Sequence, residues 1–388
     1  MTFLVYVLSF YYDNFTDFVT QGGTMAIEII STGRAIPPRR VTNNDLAGMI
    51  DTNDEWIRSH TGIGARHLAD SGMACSDLAA EAGRQALVSA IERGAVAEST
   101  VEALALTVDV IVLGTTTQDF CGCPSTACIV QDKLGAKNAA ALDISAACSG
   151  FIYGLETAAG LLGVNARRKR ALVIGSELLS HFIDWNDRGV CVLFGDGAGA
   201  VLVEKTAAPS EGEGRRGLLR SILAADGSGA DSLIIRRGGS RNPWQAGEVV
   251  DTPPHLEMNG RAVYNFAVKA VTGTIEALLS DQRSEDRRSE DQSSEDQRSE
   301  DAGISIDDVV RIVPHQANAR IVQAAAKRLG IPEEKFYLNI EEYANTSAAS
   351  IPIALDELNR SGQIRRGDLI MTVGFGSGLT FGGNLIVW

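Results

Sequence analysis

A cysteine, a histidine and an asparagine stand in three short turns of this chain, each beside a helix start, and together they could carry nucleophilic chemistry. Cys148 follows the apolar run 140–144. It precedes Phe151, Leu155, Ala158, Ala159 and Leu162, which repeat at helical spacing. A sulfur between a strand end and a helix start meets unpaired amides and the positive end of the helix dipole, and both favour a thiolate. Its neighbours, Ser145 to Gly150, are small and leave a substrate room to reach the sulfur. A buried, inert cysteine is the plain alternative. His315 stands in Pro314-His315-Gln316-Ala317-Asn318, at the carboxyl end of the apolar run 309–313, where a side chain can enter a crevice. The alternative is a satisfied core histidine. Asn345 lies in Tyr343-Ala344-Asn345-Thr346-Ser347, either as a simple helix cap or as a donor. A fourth turn, Gly374-Phe375-Gly376-Ser377-Gly378, could bring backbone amides to an oxyanion.

The elements that must position these residues alternate. Strands are expected over 27–31, 108–114, 140–144, 170–175 and 199–204, interleaved with helices over 42–50, 77–93, 125–134, 148–162 and 186–193. The second half repeats the plan, with strands over 218–226, 309–313, 335–338, 369–373 and 384–387 and helices over 258–279, 318–329 and 346–361. Leu113 to Cys148 spans 35 residues and Val313 to Ser347 spans 34; Cys148 to Val173 and Ser347 to Thr372 each span 25. An internal duplication accounts for this, with Cys148 and Ser347 in matching positions. The expected class is α/β, with one half over 25–205 carrying Cys148 and a second over 206–388 carrying His315 and Asn345.

Composition narrows the function classes. The 388 residues carry a net charge of −14, which argues against wholesale nucleic-acid binding. The cysteines at 75, 121, 123, 128, 148 and 191 form no disulfide framework and suit a reducing, cytoplasmic compartment. Cys121, Cys123 and Cys128 lack a fourth ligand at metal-site spacing, so no metal is expected. Residues 1–24 hold an apolar stretch too short to span a bilayer and without the features of a signal peptide, and they read as an extension preceding a natural start at Met25. Residues 284–301 repeat SEDRR, SEDQS, SEDQR and SED with no apolar residue, and read as a disordered surface insertion.

The motifs DTNDEWIRSHTGI (51–63), DISAACSGF (143–151), FGDGAGA (194–200), VPHQANARI (313–321) and YANTSAASIPIAL (343–355) occur in one order. On these residues the chain, from Met25 to Trp388, resembles the thiolase-fold condensing enzymes, and most closely β-ketoacyl-acyl-carrier-protein synthase III. The resemblance implies two duplicated halves in a layered α-β-α-β-α arrangement. It implies that Cys148 is acylated by an acyl-coenzyme A and that His315 and Asn345 complete a catalytic triad. Malonyl-acyl carrier protein would then condense with loss of carbon dioxide. Amides of Cys148 and Ser377 would hold the oxyanion, with no metal or redox cofactor. Trp56, Arg58, His60, Arg188 and Asn318 would meet coenzyme A, and Gln316 and Arg320 the acidic carrier protein, with Lys327 and Arg328 on the same helix. A homodimer is implied, with Cys123 reaching the acyl pocket of its mate.

Two residues depart from the family pattern. His60 stands where a second arginine usually contacts the nucleotide, and Arg58 is the residue placed to compensate. Cys123 replaces a bulky phenylalanine, which implies a roomier acyl pocket. A condensing enzyme of secondary metabolism and a non-catalytic carrier-protein scaffold are the alternative readings. The absence of a cysteine after Cys191 argues against a biosynthetic thiolase.

Overall fold

Val110 and Val112 face one hydrophobic cluster, while Ile111 and Leu113 face another. A strand buried on both sides needs helices on both sides, and this strand sits in a sheet so covered. The computed structural model describes residues 25–208, 214–248, 253–280 and 304–388. The extension expected over 1–24 and the repeat at 284–301 lie outside the described residues.

The main strands are β1 (Met25–Ala35), β2 (Val110–Gly114), β3 (Ala140–Ile144), β4 (Arg170–Glu177), β5 (Gly197–Ala207), β6 (Gly217–Ala225), β7 (Val309–Pro314), β8 (Leu369–Phe375) and β9 (Thr380–Val387). The main helices are α1 (Asp54–Thr61), α2 (Cys75–Glu92), α3 (Thr126–Leu134), α4 (Gly150–Gly163), α5 (Gly260–Leu279), α6 (Ala319–Leu329) and α7 (Ser350–Arg360). One sheet has the order β1-β5-β4-β2-β3 and the other β6-β9-β8-β7. Each has a parallel pair (β4 with β2, β8 with β7) followed by two antiparallel pairings. The strand expected over 335–338 is reduced to one parallel bridge between Phe336 and Ile312, because a 3-10 turn at Glu333–Lys335 occupies its start.

Five layers result. Helices α4 and α7 lie between the sheets, where Phe151, Ile152 and Leu155 meet Ile351, Leu355 and Leu358 in one core with Val112, Val173, Ile370 and Ile386. Helices α2 and α3 cover the outer face of the first sheet. Helices α5 and α6 cover the outer face of the second. The central layer packs closely because glycines replace side chains at the crossings: a Cβ on Gly114 would lie 2.6 Å from the carbonyl carbon of Gly150.

The helix expected over 186–193 is a series of turns. The Asp187 side chain accepts from the Gly189 amide, and the Asp187 carbonyl accepts from Val190 and Cys191, so the chain folds back on itself. The two central helices start later than expected. Each is preceded by a 3-10 turn, Ala147–Ser149 before α4 and Ser347–Ala349 before α7. Ala147 (φ 46) and Ser347 (φ 49) both open these turns in the left-handed region. The backbone therefore pairs Ala147 with Ser347, and the counterpart of Cys148 is Ala348, one residue away from the pairing that spacing suggests.

Candidate active site

The nucleophile's turn is held from three sides. Its 3-10 turn packs on the matching turn of the second half. Gly376 presses on it from the end of β8, where a Cβ would lie 2.6 Å from the Cys148 amide nitrogen, so only glycine fits without a shift. Thr380 Oγ1 donates to the Ala146 carbonyl at 2.9 Å and ties in the start of β9. Ala147 holds a strained positive φ beside the sulfur, and such strain concentrates at functional sites.

Cys148 and Ser347 open onto a cavity of ≈ 210 Å³, which Ser377, Gln118, Phe194 and Leu256 also line. The Cys148 thiol departs from the thiolate expectation. Burial pushes it up to about 12, the negative charge of Glu177 acts in the same direction, and a hydrogen bond with Ser347 opposes them. The helix dipole is outweighed by desolvation, so the resting group is a protonated thiol.

His315 and Asn345 are buried, 1% and 6% exposed, and are not among the residues lining that cavity. They reach the same junction on neighbouring segments. His315 sits one residue past β7, its amide donating to the Val373 carbonyl of β8 at 2.7 Å. Its Nδ1 is 2.7 Å from Ser350 Oγ, and its ring stands edge-on to Phe375 at 5.2 Å. Burial pushes its pKa down to about 3, so the imidazole is neutral. Asn345 Oδ1 accepts from the Ser347 amide at 2.8 Å, which leaves Nδ2 to donate. Neither His315 Nε2 nor Asn345 Nδ2 has a hydrogen-bond partner among the described residues.

The expected nucleotide residues cluster around α1. Trp56 stacks on His60 at 4.5 Å, and the Arg188 guanidinium lies 4.8 Å from the Trp56 ring centre. A flat base between Trp56 and Arg188 needs about 7 Å, two contact distances, so the exposed Arg188 must swing away to admit one. Arg58, half-exposed on α1, pairs with Asp54 at 2.9 Å and Glu341 at 2.7 Å at the surface. Asn318 caps α6 through the Arg320 amide and donates to the His60 carbonyl at 3.0 Å, which joins α6 to α1.

Gln316 does not reach the surface. It is 2% exposed, and its amide is consumed by the Pro314 and Tyr337 carbonyls and the Asn339 amide. A buried amide with every group bonded holds the loop together and cannot meet a protein partner. Arg320, Lys327 and Arg328 are exposed on α6. Cys121, Cys123 and Cys128 are free and exposed, and among the described residues no group of three or more His, Cys, Asp or Glu could hold a metal ion. No helix among the described residues is long and apolar enough to cross a membrane.

Sequence reasoning missed Glu177, which ends β4 fully buried next to the nucleophile's turn. An acid three residues past the wholly apolar run Ala171–Ile174 was the available signal.

Two sheets of matching strand order, with a cysteine turn and its counterpart meeting at the central helices, define the thiolase class of fold. Residues 142–227 match the family 3-oxoacyl-[acyl-carrier-protein] synthase III, and residues 299–388 match its C-terminal domain. The β-ketoacyl-[acyl-carrier-protein] synthase III of Caldanaerobacter subterraneus is 44% identical, over 94% of this chain and 98% of its own length. That of Clostridium acetobutylicum is 40% identical, over 94% and 99%. The crystal structure of the Pseudomonas aeruginosa 3-oxoacyl-(acyl carrier protein) synthase III superposes with a TM-score of 0.75 at 36% identity, covering 94% and 98%. The chain belongs to the β-ketoacyl-acyl-carrier-protein synthase III family.

Proposed function

We propose that this chain joins an acyl-coenzyme A primer to malonyl-acyl carrier protein, releasing carbon dioxide and coenzyme A and initiating fatty acid synthesis. Family membership over nearly the whole chain supports the reaction. The observation that carries the residue roles is the pair of buried, neutral, unpartnered donors, His315 Nε2 and Asn345 Nδ2, on segments next to the Cys148 turn.

Cys148 attacks the primer thioester and takes its acyl group, while amides of Cys148 and Ser377 stabilise the oxyanion. Malonyl-carrier protein then replaces coenzyme A. Its thioester oxygen accepts from His315 Nε2 and Asn345 Nδ2. We assign the Ser350 hydroxyl proton to His315 Nδ1, 2.7 Å away, an arrangement that places the ring hydrogen on Nε2. A neutral imidazole stabilises the enolate formed on decarboxylation by donating a hydrogen bond, without protonating and quenching it. The enolate carbon attacks the acyl-cysteine carbonyl and expels the Cys148 thiolate, which takes a proton from solvent to regenerate the thiol. The chemistry needs no metal or redox cofactor, because the thioester supplies the activation and loss of carbon dioxide drives the new carbon–carbon bond.

Trp56, with Arg188 swung aside, takes the adenine of coenzyme A, with His60 beside it and Arg58 and Asn318 bracing that wall. Arg320 on α6 draws the acidic carrier protein. The enzyme works in the cytoplasm as a homodimer, with the partner's Cys123 at the acyl pocket.

Condensation of malonyl-carrier protein with a panel of acyl-coenzyme A primers, run beside Cys148→Ala and His315→Ala, tests this. Cys148→Ala is expected to take up no acyl mass. His315→Ala is expected to form acyl-Cys148 but not to decarboxylate malonyl-carrier protein. A parent protein that never gains acyl mass on Cys148 would overturn the reading.

A further inference from the structure

Arg66 is a fully buried guanidinium in the short strand Ala65–Leu68. Among the described residues no Asp or Glu forms an ion pair with it, and burial lowers its pKa to about 10, which leaves it charged at neutral pH. Its Nε has no hydrogen-bond partner. A buried cation without a counter-ion is expensive, and an apolar side chain would fill the same space more cheaply. Its other two nitrogens hold defined partners. Nη2 donates to the Val192 carbonyl at 2.7 Å, and Nη1 donates to Asn43 Oδ1 at 2.8 Å.

Val192 belongs to a run of turns that clasps Asn345. The Asn345 amide donates to the Leu193 carbonyl at 2.9 Å, and the Gly195 amide donates to the Asn345 carbonyl at 3.1 Å. Between these two bonds Asn345 bridges to Phe194, which lines the Cys148 cavity. The clasp has strain to hold. Ala344 (φ 56) and Ser347 (φ 49) stand on either side of Asn345 with positive φ. Residues other than glycine keep such a backbone only where their surroundings fix it. The hydrogen bond from Arg66 to the Val192 carbonyl fixes the clasp from 126 residues away in sequence, and a charged donor makes it a strong one. The other end of the guanidinium is anchored as well. Asn43 Nδ2 donates to the Ile63 carbonyl at 2.7 Å and to Oδ1 of Asp54, the first residue of α1, at 2.9 Å.

We propose that Arg66 is the positioning residue for Asn345: it grips the Val192 carbonyl, keeps residues 193–195 paired with Asn345, and so holds Asn345 Nδ2 where the malonyl thioester oxygen arrives. Arg66 touches no substrate and transfers no proton. The assignment rests on the proposed function, in which Asn345 serves decarboxylation and not acyl transfer.

Two measurements test it. In the first, single-turnover acylation of Cys148 at saturating acyl-coenzyme A and decarboxylation of malonyl-carrier protein are compared for the parent, Arg66→Gln, Asn345→Ala and the double variant. Arg66→Gln is expected to slow decarboxylation about 10- to 100-fold, the loss of one charged hydrogen bond, and to change acylation by less than about twofold. In the Asn345→Ala background the same substitution should add less than about twofold, because the group it positions is gone. Equal losses in the two half-reactions mark a packing role and overturn the proposal, as does a full further loss in the Asn345→Ala background. The second measurement, amide deuterium exchange, needs no substrate. In Arg66→Gln, peptides covering 192–196 and 344–347 should exchange about tenfold faster or more, while α4 stays as in the parent. Unchanged exchange at those peptides overturns the proposal. A parent that decarboxylates no malonyl-carrier protein sinks the proposed function, and exchange then decides the role of Arg66 alone. If Arg66→Gln does not fold, Asn43→Ala, which removes only the Nη1 bond, goes through the same comparisons with the same deciding outcomes, at about 3- to 10-fold in decarboxylation.

Discussion

Ser350 Oγ lies 2.7 Å from Nδ1 of His315, and both groups are buried. Ser350 is the first residue of α7, so the second half's central helix sets the direction in which the imidazole donates. Ser350→Ala removes that bond and frees the ring to turn. The malonyl-carrier decarboxylation rate is expected to fall about five- to tenfold, the equivalent of one hydrogen bond of about 1 to 1.5 kcal/mol. Acylation of Cys148 should be spared. Measuring the two half-reactions separately checks this, and an equal loss in both would contradict it.

Gly376→Ala places a methyl group 2.6 Å from the Cys148 amide nitrogen. Something must move, and the nearest atom is backbone, with the Ala147 Cβ and the Ser149 amide nitrogen close behind at 3.1 and 3.2 Å. A loss of about 1–3 kcal/mol in urea unfolding is expected, with Cys148 acylation down by about 100-fold through displacement of the nucleophile's turn.

The two buried titratable groups give opposite pH slopes of stability. His315 falls from 6.5 to about 3 on folding, so between those values the unfolded chain binds a proton that the native protein refuses, and stability rises with pH. Glu177 rises from 4.5 to about 7, so in that window the native protein keeps a proton that the unfolded chain has lost, and stability falls with pH. Relative to the parent, His315→Asn should make urea midpoints fall more steeply between pH 5 and 6.5. Glu177→Gln should make them rise more steeply. Midpoints at pH 5, 5.75 and 6.5 decide it.

Arg188 rests 4.8 Å from the Trp56 ring and must leave for a nucleotide base to stack there. Trp56→Ala is expected to raise KM for acyl-coenzyme A about 5- to 150-fold, the equivalent of about 1–3 kcal/mol for a base stacked on an aromatic ring. Turnover with saturating primer should change little. Steady-state kinetics with the primer varied checks the split.

Cys123→Phe should narrow the acyl pocket if the partner's residue reaches it. The parent is expected to accept branched or longer primers that the variant loses, while acetyl transfer survives. Competition between acetyl- and longer acyl-coenzyme A, with the acyl group weighed on Cys148, reads this directly. A parent restricted to acetyl would contradict the pocket argument.

Periodicity and spacing made the architecture legible before any coordinates. Val110 to Leu113 alternate between two cores because successive strand residues point to opposite faces, and an apolar run of that kind predicts helices on both sides. The Cys148, His315 and Asn345 turns were legible for the same local reason: small residues and glycines mark places where backbone and substrate can approach. Contacts between distant segments decided the rest. The partnership of Glu177 with Ser347 spans 170 residues, and the thiol's protonation follows from how deeply Cys148 is buried. Gln316 carries a side chain suited to a partner, yet packing consumed it among backbone groups. Residue type and spacing determined which groups could act. Desolvation and cross-chain hydrogen bonds, which exist only once the two halves close on each other, decided which protons they hold and which of them remain free.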